Sequence, residues 1–325
     1  MKIFPTRRSR ILFVCIGFIT LLFMVGYLLK NDRYKASYVY RIYACFTGER
    51  QTVLGLYKPI DFRVDYFGMI YEGRSGNLLD DHILYYGAQE KYILYFMRDV
   101  AESLGNNEVI FLDIGANVGQ HSLFMSKHVK YVHSFEPYPP VLKRFRKLVA
   151  INQISNIFIH PVGLGDKSGQ IPFYEPPDSN LGAGSFINTE ETANKNSILP
   201  IVIGDEWLKK IRTSKVDIIK CDIEGYEKLA FLGLRHTLAR NRPIIVMELN
   251  LGLEDSFQSI DDFYATFPPD YKFLFFCVKE PLTGHYELCQ YDRFSFKKKE
   301  SYEIVVFPKE KESIIKHENM KESAK

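Results

Sequence analysis

The sequence predicts an α/β protein built on a mostly parallel β-sheet with an antiparallel edge, and three observations support this. Residues 109–120 read Val-Ile-Phe-Leu-Asp-Ile-Gly-Ala-Asn-Val-Gly-Gln, an apolar run that leads into a glycine-containing loop. Further short apolar runs alternate with helical patterns, and an acidic residue stands at or near the end of most of them. Two late strand-like segments, 271–278 and 302–307, suit the antiparallel edge.

The composition is that of a globular protein with a large core. The chain has 325 residues, of which 46% are hydrophobic and 25% are charged. A formal net charge of +3, without clusters of basic and aromatic residues, predicts no nucleic-acid partner. Five cysteines without a Cys-x-x-Cys pair indicate neither a zinc site nor a disulfide framework, so we expect reduced and mostly buried thiols.

The N-terminal region contains an apolar segment that predicts a membrane anchor. Residues 11–29 are uncharged and rich in Leu, Ile, Phe and Val, which is long enough for a helix to cross the hydrocarbon core. The run is longer than a signal-peptide core, and no Ala-x-Ala site follows it. Four basic residues lie on each side, so charge does not orient the segment. We expect residues 1–35 to form the anchor.

Residues 36–105 form an aromatic segment that we interpret as a cap. A strand pair is predicted around 62–66 and 69–71, with a turn at Phe67-Gly68. A helix is predicted through 92–100, ending near Leu104-Gly105.

The central region alternates helices and strands. After the strand at 109–114, helices are predicted over about 119–127 and 139–152, and strands over 131–135, 157–162, 170–174, 199–203, 216–222 and 243–248. The intervening stretch 176–196 is rich in Pro, Ser, Asn and Gly, which suits a mobile lid over a substrate or a disordered insertion. The charged tail, 309–325, is expected to fray.

The spacing of the loop glycines separates two classes of nucleotide-derived cofactor. A dinucleotide fingerprint needs Gly-x-Gly-x-x-Gly, but position 117 is Asn and the last glycine comes one place early. The order Asp113, Gly115, Asn117, Gly119 resembles the first motif of class I S-adenosylmethionine-dependent methyltransferases. The stretch FLDIGANVG, residues 111–119, resembles the FkbM methyltransferase family.

Two later motifs extend this resemblance. Residues 220–227, Lys-Cys-Asp-Ile-Glu-Gly-Tyr-Glu, resemble the family's Lys-x-Asp-x-Glu-Gly-x-Glu, and residues 246–250 resemble its strand-five acid. Gly87 and Glu90 resemble a Gly-x-x-Glu element that precedes the first motif. The match covers about 111–250. It implies a class I methyltransferase (Rossmann-like) domain over 106–308, with a mostly parallel seven-stranded sheet and S-adenosylmethionine as cofactor.

The predicted cofactor-binding residues follow from the loop and the strand ends. Asp113, Gly115, Asn117 and Gly119 form the loop. Glu136 lies twenty-three residues beyond Asp113, a spacing that suits an acid accepting hydrogen bonds from ribose hydroxyls, although a helix-capping acid is the simpler alternative. The resemblance places the turn at Gly163 and Asp166 near an adenine, although alone it is a glycine turn.

The predicted catalytic residues are Asp222, Glu224 and His121, with Asp222 the first choice. Methyl transfer from a sulfonium is an in-line displacement that depends on positioning, and an alcohol nucleophile must also lose its proton. Glu90 and Glu248 are weaker candidates for substrate contact. A divalent cation on the same carboxylates would be an alternative way to acidify the hydroxyl, but the sequence does not indicate a metal.

From the resemblance we expect O-methylation of a hydroxyl on a sugar, glycolipid or secondary metabolite, so the partners are a small-molecule, glycan or lipid acceptor and the membrane. An Asn/Asp-Pro-Pro-Tyr/Phe sequence does not follow the strand predicted at 216–222, which argues against methylation of base amines. The alternatives are an NAD-linked sugar oxidoreductase and a non-enzymatic membrane scaffold. Because S-adenosylmethionine is made in the cytosol, we expect the catalytic domain on the cytoplasmic side.

Overall fold

The computed structural model describes residues 59–188, 196–251, 253, 256–290 and 301–315. The predicted membrane segment 11–29 lies outside these residues, as do part of the predicted lid and the last ten residues of the tail. Within the described ranges, no helix is both long enough and apolar enough to span a bilayer.

The chain divides into two compact units, and the described part of the first consists of 59–76 and 80–87. It contains the hairpin of β1 (Asp61–Tyr66) and β2 (Met69–Arg74), which confirms the predicted strand pair. The turn uses left-handed backbone at Phe67 and Gly68. Most of helix α1 (Leu78–Tyr86) also belongs here, and the Tyr71 hydroxyl donates to Asp80 Oδ1 at 2.6 Å.

The second unit holds the remaining elements. Its helices are α2 (Lys91–Leu104), α3 (Gln120–Met125), α4 (Pro139–Ile151), α5 (Gly204–Lys210), α6 (Glu227–Leu232), α7 (Arg235–Asn241), α8 (Ile260–Thr266) and α9 (Glu312–Ile315). Its strands are β3 (Ile110–Ile114), β4 (Tyr131–Phe135), β5 (Ile157–His160), β6 (Gly163–Gly165), β7 (Gly169–Tyr174), β8 (Asn196–Ile203), β9 (Ile218–Cys221), β10 (Ile244–Asn250), β11 (Tyr271–Lys279), β12 (Tyr286–Cys289) and β13 (Ser301–Pro308). The predicted α/β alternation is confirmed.

The main sheet has the strand order β12-β11-β13-β10-β9-β3-β4-β5. Strands β5, β4, β3, β9 and β10 are mutually parallel, whereas β13 is antiparallel to both of its neighbours, β10 and β11. The predicted antiparallel edge is therefore confirmed, whereas the predicted number of seven strands was wrong. The sheet has eight strands because the four-residue β12, preceded by a turn at Gly284 with φ of 75°, adds to its edge.

A second difference concerns β7 and β8. Both were predicted as strands, but with β6 they form a separate three-stranded sheet in the order β6-β8-β7. Strand β8 shows a mixed burial pattern with exposed Asn196 and Ile198, whereas every residue of β3 and β9 is buried. Unbroken apolar runs are typical of central parallel strands that are covered on both faces. Because the central strands are parallel, their carboxyl ends lie along the same side of the sheet.

The cysteines differ partly from expectation. Cys221 on β9 is buried, Cys289 is half-buried, and Cys277 is exposed. The prediction of mostly buried thiols was therefore wrong for Cys277, which lies at a register shift between β11 and the short edge strand β12. Burial raises the pKa of the Cys221 thiol, which disfavours the thiolate that a nucleophile would need.

A buried histidine pair on β4 and β5 is expected to make the stability of this unit sensitive to acid. His133 Nδ1 lies 3.1 Å from His160 Nε2, and His133 Nε2 lies 3.1 Å from Thr213 Oγ1. Burial lowers the pKa of each histidine to about 4. Below an unfolded-state pKa of about 6.5, the unfolded chain binds protons that the folded pair rejects, so stability falls as the pH drops from 6.5 towards 4.

We therefore expect His160→Gln to reduce this acid-induced loss by up to about 3 kcal/mol, since about 2.5 pH units correspond to about 1.36 kcal/mol each. The measurement is urea unfolding of both proteins at several pH values between 7 and 4. His285→Gln, at an exposed site, is the control and should follow the wild type. Parallel stability curves for His160→Gln and the wild type would contradict the assignment.

Candidate cofactor and acceptor site

The glycine loop follows β3 in a conformation that its sequence explains. Gly115, Asn117 and Gly119 have φ values of 81°, 51° and 84°, a region that glycine enters freely and asparagine more readily than most residues. A Cβ atom at Gly115 would lie 1.9 Å from the backbone oxygen of Asp222. The loop therefore packs directly against the segment that follows β9, and a side chain at position 115 has no room.

Two predicted loop residues, Asp113 and Gly119, lie behind the loop, on the side of the protein core. Asp113 is fully buried, and its Oδ2 accepts a hydrogen bond from Ser122 Oγ at 2.5 Å; that hydroxyl also lies 2.7 Å from Ser134 Oγ. Gly119 precedes α3, and the ring of Phe145 occupies the space where its Cβ would be. These contacts support the loop from the protein side. Direct cofactor contact by Asp113 or Gly119 stays a prediction.

Glu136 links the loop to the end of β4. Its Oε2 accepts from the Asn117 backbone N–H and its Oε1 from the Tyr138 backbone N–H, both at 2.8 Å. The side chain is buried, and burial raises the pKa of Glu136 to about 7 although both hydrogen bonds favour the charged form. Each carboxylate oxygen can accept a second hydrogen bond, so the group can still receive a hydroxyl donor.

A cavity of about 300 Å³ opens beside this loop, within the second unit. It brings together nine of the predicted residues: Glu90, Gly115, Asn117, His121, Glu136, Gly163, Asp222, Glu224 and Glu248. Asp166 is exposed just after β6 and does not line it. Contact between Asp166 and the cofactor therefore stays a prediction.

The described part of the predicted lid also lines the cavity. Residues 180–182 and 184–186 contribute to its wall. Tyr174 and Ser185 exchange two backbone hydrogen bonds, and Ser185 Oγ donates to the Glu224 backbone oxygen at 3.0 Å. The segment is therefore tied to β7 and to the turn after β9, which composition alone did not indicate.

The turn after β9 places the predicted catalytic acids. Glu224 and Gly225 have left-handed backbone, with φ values of 54° and 101°. Glu227 is fully buried, and its Oε1 accepts from the backbone N–H groups of Ile223 and Gly225 at 3.0 and 3.1 Å. The last acid of the motif therefore holds the turn in shape, a role that the sequence did not assign to it.

The acid cluster consists of Asp222, Glu224 and Glu248, each of which brings a carboxylate oxygen to within 4.8 Å of the others. Such spacing is compatible with a shared cation, but proximity alone does not define a metal site. The ammonium group of Lys220 already contacts the cluster, because its Nζ donates a hydrogen bond to Asp222 Oδ2 at 2.8 Å. The proximity of the three carboxylates is thus the only observation among the described residues that favours a bound metal ion.

Lys220 is a buried residue whose role the sequence did not predict. Its side chain is only 5% exposed, against 29% for that of Asp222. Burial by itself lowers the pKa of Lys220, but the charges of Asp222, Glu90 and Asp113, together with the hydrogen bond to Asp222, outweigh burial and hold that pKa above its ordinary value. Lys220 is therefore an ammonium among carboxylates.

Glu248, near the end of β10, has different partners. It accepts hydrogen bonds from Asn250 Nδ2 at 3.0 Å and from Ser301 Oγ. Burial and the nearby charge of Asp222 raise the pKa of Glu248 to about 8. Asn250 and Ser301 also line the cavity. Sequence reasoning missed Ser301 because it is distant in the chain and comes close only through the antiparallel β13.

The remaining predicted residues are Glu90 and His121, which lie side by side in the cavity wall. Glu90 Oε2 lies 3.3 Å from His121 Nε2, an ion-pair distance if the histidine is protonated. The adjacent Gln89 and Gln120 are joined by two hydrogen bonds between the Gln120 side chain and the Gln89 backbone. The start of α2 and the start of α3 are thereby held together at the cavity.

Two curated relatives are similar to part of the chain. One is the hexuronic acid methyltransferase AglP of Haloferax volcanii, at 25% identity over 161 residues, covering 49% of this chain and 62% of the relative. The other is Methyltransferase 1 of Beauveria bassiana, at 26% identity over 149 residues, covering 39% of this chain and 59% of the relative. The chain thus spans about three fifths of the length of these relatives.

Solved structures also align with the chain. The SAM-dependent methyltransferase from Agrobacterium tumefaciens aligns with a TM-score of 0.43 at 10% identity, covering 77% of this chain and 70% of that one. TYW2 of M. jannaschii in complex with AdoMet aligns with a TM-score of 0.38 at 14% identity, covering 77% and 86%. The fold assignment depends on the strand order given above and not on these alignments.

A family model provides the identification. The methyltransferase FkbM domain matches residues 113–275, from the glycine loop to the middle of β11. The matched range includes Asp222 after β9 and Glu248 on β10. This match spans half of the 325 residues and confirms the predicted family. The chain belongs to the FkbM methyltransferase family.

Proposed function

We propose that the protein is an S-adenosylmethionine-dependent O-methyltransferase that acts on a hydroxyl of a sugar, glycolipid or secondary metabolite. The observation that supports this best is that one cavity is lined both by the glycine loop and by the acid cluster. A methyl donor bound at the loop would have its acceptor beside Asp222, Glu224 and Glu248. Together with His121, the first two remain the predicted catalytic residues.

The loop end of the cavity fits the proposed cofactor. Gly115 presents bare backbone, Glu136 can accept further hydrogen bonds, and Asn117 Oδ1 is buried without a hydrogen-bond partner among the described residues. When bound, S-adenosylmethionine supplies an electrophilic methyl group on a sulfonium. The residues of the chain bind it, exclude water and hold the acceptor oxygen in line with that methyl group.

The acid cluster favours a hydroxyl acceptor. Carboxylates accept hydrogen bonds from a hydroxyl and can assist removal of its proton, which is typically worth about 10²–10⁴-fold in rate. A sugar acceptor is favoured by the similarity to AglP, whose name specifies a hexuronic acid substrate. Because the two chains share 25% identity, the similarity suggests the class of acceptor and not its identity.

The first test of this function measures cofactor binding. We expect S-adenosylhomocysteine, but not NAD, to raise the melting temperature of the protein and to give a calorimetric binding isotherm. Stabilisation by NAD alone would favour the sugar oxidoreductase, and binding of neither compound would favour the non-enzymatic scaffold.

The second test identifies the acceptor. Lipid and glycan extracts are incubated with the protein and S-adenosylmethionine that carries a ¹³C-labelled methyl group, and the products are analysed by mass spectrometry. We expect a hydroxyl-bearing component of one extract to gain one labelled methyl group. Labelling restricted to amines would contradict O-methylation.

Replacing Glu136 by glutamine tests the cofactor end of the cavity. The amide group would face either the Asn117 or the Tyr138 N–H, so one hydrogen bond is lost and stability should fall by about 1–3 kcal/mol. We expect the affinity for S-adenosylhomocysteine to fall at least tenfold in calorimetry. Glu108→Gln, at an exposed site, is the control. Equal affinity in both variants would exclude Glu136 from the cofactor site.

We also propose the domain layout and location predicted from the sequence: an anchor at 1–35 with a single span at 11–29, a cap at 36–105, the methyltransferase domain at 106–308 and a tail at 309–325. The supply of the cofactor in the cytosol favours a cytoplasmic catalytic domain. Protease treatment of sealed vesicles tests this orientation, because a cytoplasmic domain is cleaved from the cytoplasmic face only.

A further inference from the structure

We propose that Glu248, and not Asp222, receives the proton of the acceptor hydroxyl. This inference depends on the proposed function and assigns a role within the same cavity. Both carboxylates line that cavity, and their oxygens lie within 4.8 Å of each other. The difference between them lies in their hydrogen-bond partners.

Asp222 is engaged by a cation. Its Oδ2 accepts a hydrogen bond from Lys220 Nζ at 2.8 Å, and the Lys220 side chain is almost completely buried. Protonation of Asp222 would leave this ammonium without the counter-charge to which it is bonded, which is costly inside a protein. Asp222 is therefore suited to remain a charged hydrogen-bond acceptor that positions the hydroxyl.

Glu248 has the opposite surroundings. Its two hydrogen-bond donors, Asn250 and Ser301, are neutral, and the charge that raises its pKa most is that of the Asp222 carboxylate. A proton taken up by Glu248 relieves the repulsion between the two carboxylates without removing an ion pair. Burial first, and then the charge of Asp222, raise the pKa of Glu248 to about 8.

Charged groups on several neighbouring elements lie around Glu248. Lys220 and Asp222 lie at the end of β9 and Glu227 on α6, and Glu303 is the register partner of Glu248 on β13. Lys279 lies on β11, further along the sheet, and Glu90 lies at the start of α2. Among these groups the carboxylates outnumber the lysines. Glu303 accepts hydrogen bonds from Lys279 and from the Tyr92 hydroxyl, so Lys279 already has Glu303 as its carboxylate partner.

The proposed step is balanced. The acceptor oxygen forms a bond to the methyl carbon while the carbon–sulfur bond breaks, and the sulfur keeps that electron pair. The hydroxyl proton passes to the carboxylate of Glu248, which later returns it to solvent. The products are the methyl ether and neutral S-adenosylhomocysteine, and no other reactant is needed.

The experiment compares the wild type with Glu248→Gln, Glu248→Asp, Asp222→Asn and Glu303→Gln. Single-turnover methyl transfer into the acceptor-containing extract is measured between pH 6 and 9.5, and affinity for S-adenosylhomocysteine is measured by calorimetry. In the wild type we expect the rate to rise with pH, with a midpoint near pH 8 and a plateau above about pH 9, because the base must be ionised. Glu303→Gln removes a neighbouring carboxylate outside the proposed step and should keep the pH-dependent rise, because Glu248 is still present.

Glu248→Gln should lower the rate about 10²–10⁴-fold and abolish the pH-dependent rise. Glu248→Asp, which keeps a carboxylate, should retain the rise at a reduced rate. Asp222→Asn should be slow but keep the rise, displaced to lower pH because the repelling charge is gone.

A rise that persists in Glu248→Gln, or one that disappears in Asp222→Asn, overturns the assignment. Unchanged affinity for S-adenosylhomocysteine in the Glu248 variants shows that they are folded. If the wild type does not bind S-adenosylhomocysteine or does not label the extract, the proposed function itself fails, which is a separate result from a changed pH profile.

Discussion

Replacing Asp222 by asparagine is expected to slow methyl transfer about 10²–10³-fold while leaving the affinity for S-adenosylhomocysteine within a few fold of the wild type. Asparagine has nearly the same shape but lacks the charge at the end of β9, where the side chain lines the acceptor part of the cavity. Loss of one preorganised electrostatic contact in an active site typically costs about 10²–10³-fold in rate. The backbone of Asp222, which contacts the glycine loop, is unaffected.

The same change should also lower stability, because Lys220 would lose its charged partner. Breaking a fully buried pair costs about 3–5 kcal/mol, and we expect less here since the Asp222 side chain is 29% exposed. Asp217→Asn is a matched control, since Asp217 also pairs with a lysine two residues earlier, Lys215 at 3.2 Å, but lies at the opposite end of β9. Unchanged turnover in Asp222→Asn would remove Asp222 from the mechanism.

The sequence predicted the central sheet because its signal is local. Each of the strands β3, β9 and β10 is mostly apolar over consecutive residues, and such runs indicate strands covered on both faces. The position of β13 between β10 and β11 depends on pairing between distant segments, which an apolar pattern does not encode. The edge strand β12 is too short to give a pattern of its own.

The glycine loop was predictable for a steric reason, and the roles of its neighbours were not. Left-handed backbone at Gly115 and Asn117 follows from residue type. The direction of the Asp113 side chain depends on the pleat of a strand whose two faces are equally apolar, so the sequence did not show that this carboxylate points towards Ser122 and away from the cavity.

The acid cluster was recognised from its motifs, but its electrostatics were not. Lys220 stands in the same motif as Asp222, and a sequence does not reveal that its ammonium is buried against that carboxylate. Ser301 reaches Glu248 only because β13 runs antiparallel beside β10. The division of roles between Asp222 and Glu248 therefore depends on tertiary contacts and could not be predicted.

Replacing Gly115 by alanine is the second change with a large expected effect. The left-handed φ of 81° costs an L-residue about 1–2 kcal/mol, and the new Cβ would lie 1.9 Å from the Asp222 backbone oxygen and 2.7 Å from Ile223 Cγ2. Backbone cannot move aside as a side chain can, so overpacking adds at least about 1–3 kcal/mol. We expect a total loss of about 2–5 kcal/mol in the free energy of unfolding.

Gly105→Ala separates the two causes, because Gly105 has the same φ of 81° but no atom within 4 Å of the added Cβ. It should lose only the conformational part, about 1–2 kcal/mol, and keep its affinity for S-adenosylhomocysteine. In Gly115→Ala the loop must shift away from the segment after β9, so we expect affinity to fall at least tenfold in calorimetry. If denaturant unfolding gave equal losses for the two variants, contact between loop and strand end would not be what requires glycine, and the cofactor end of the cavity would tolerate a side chain at position 115.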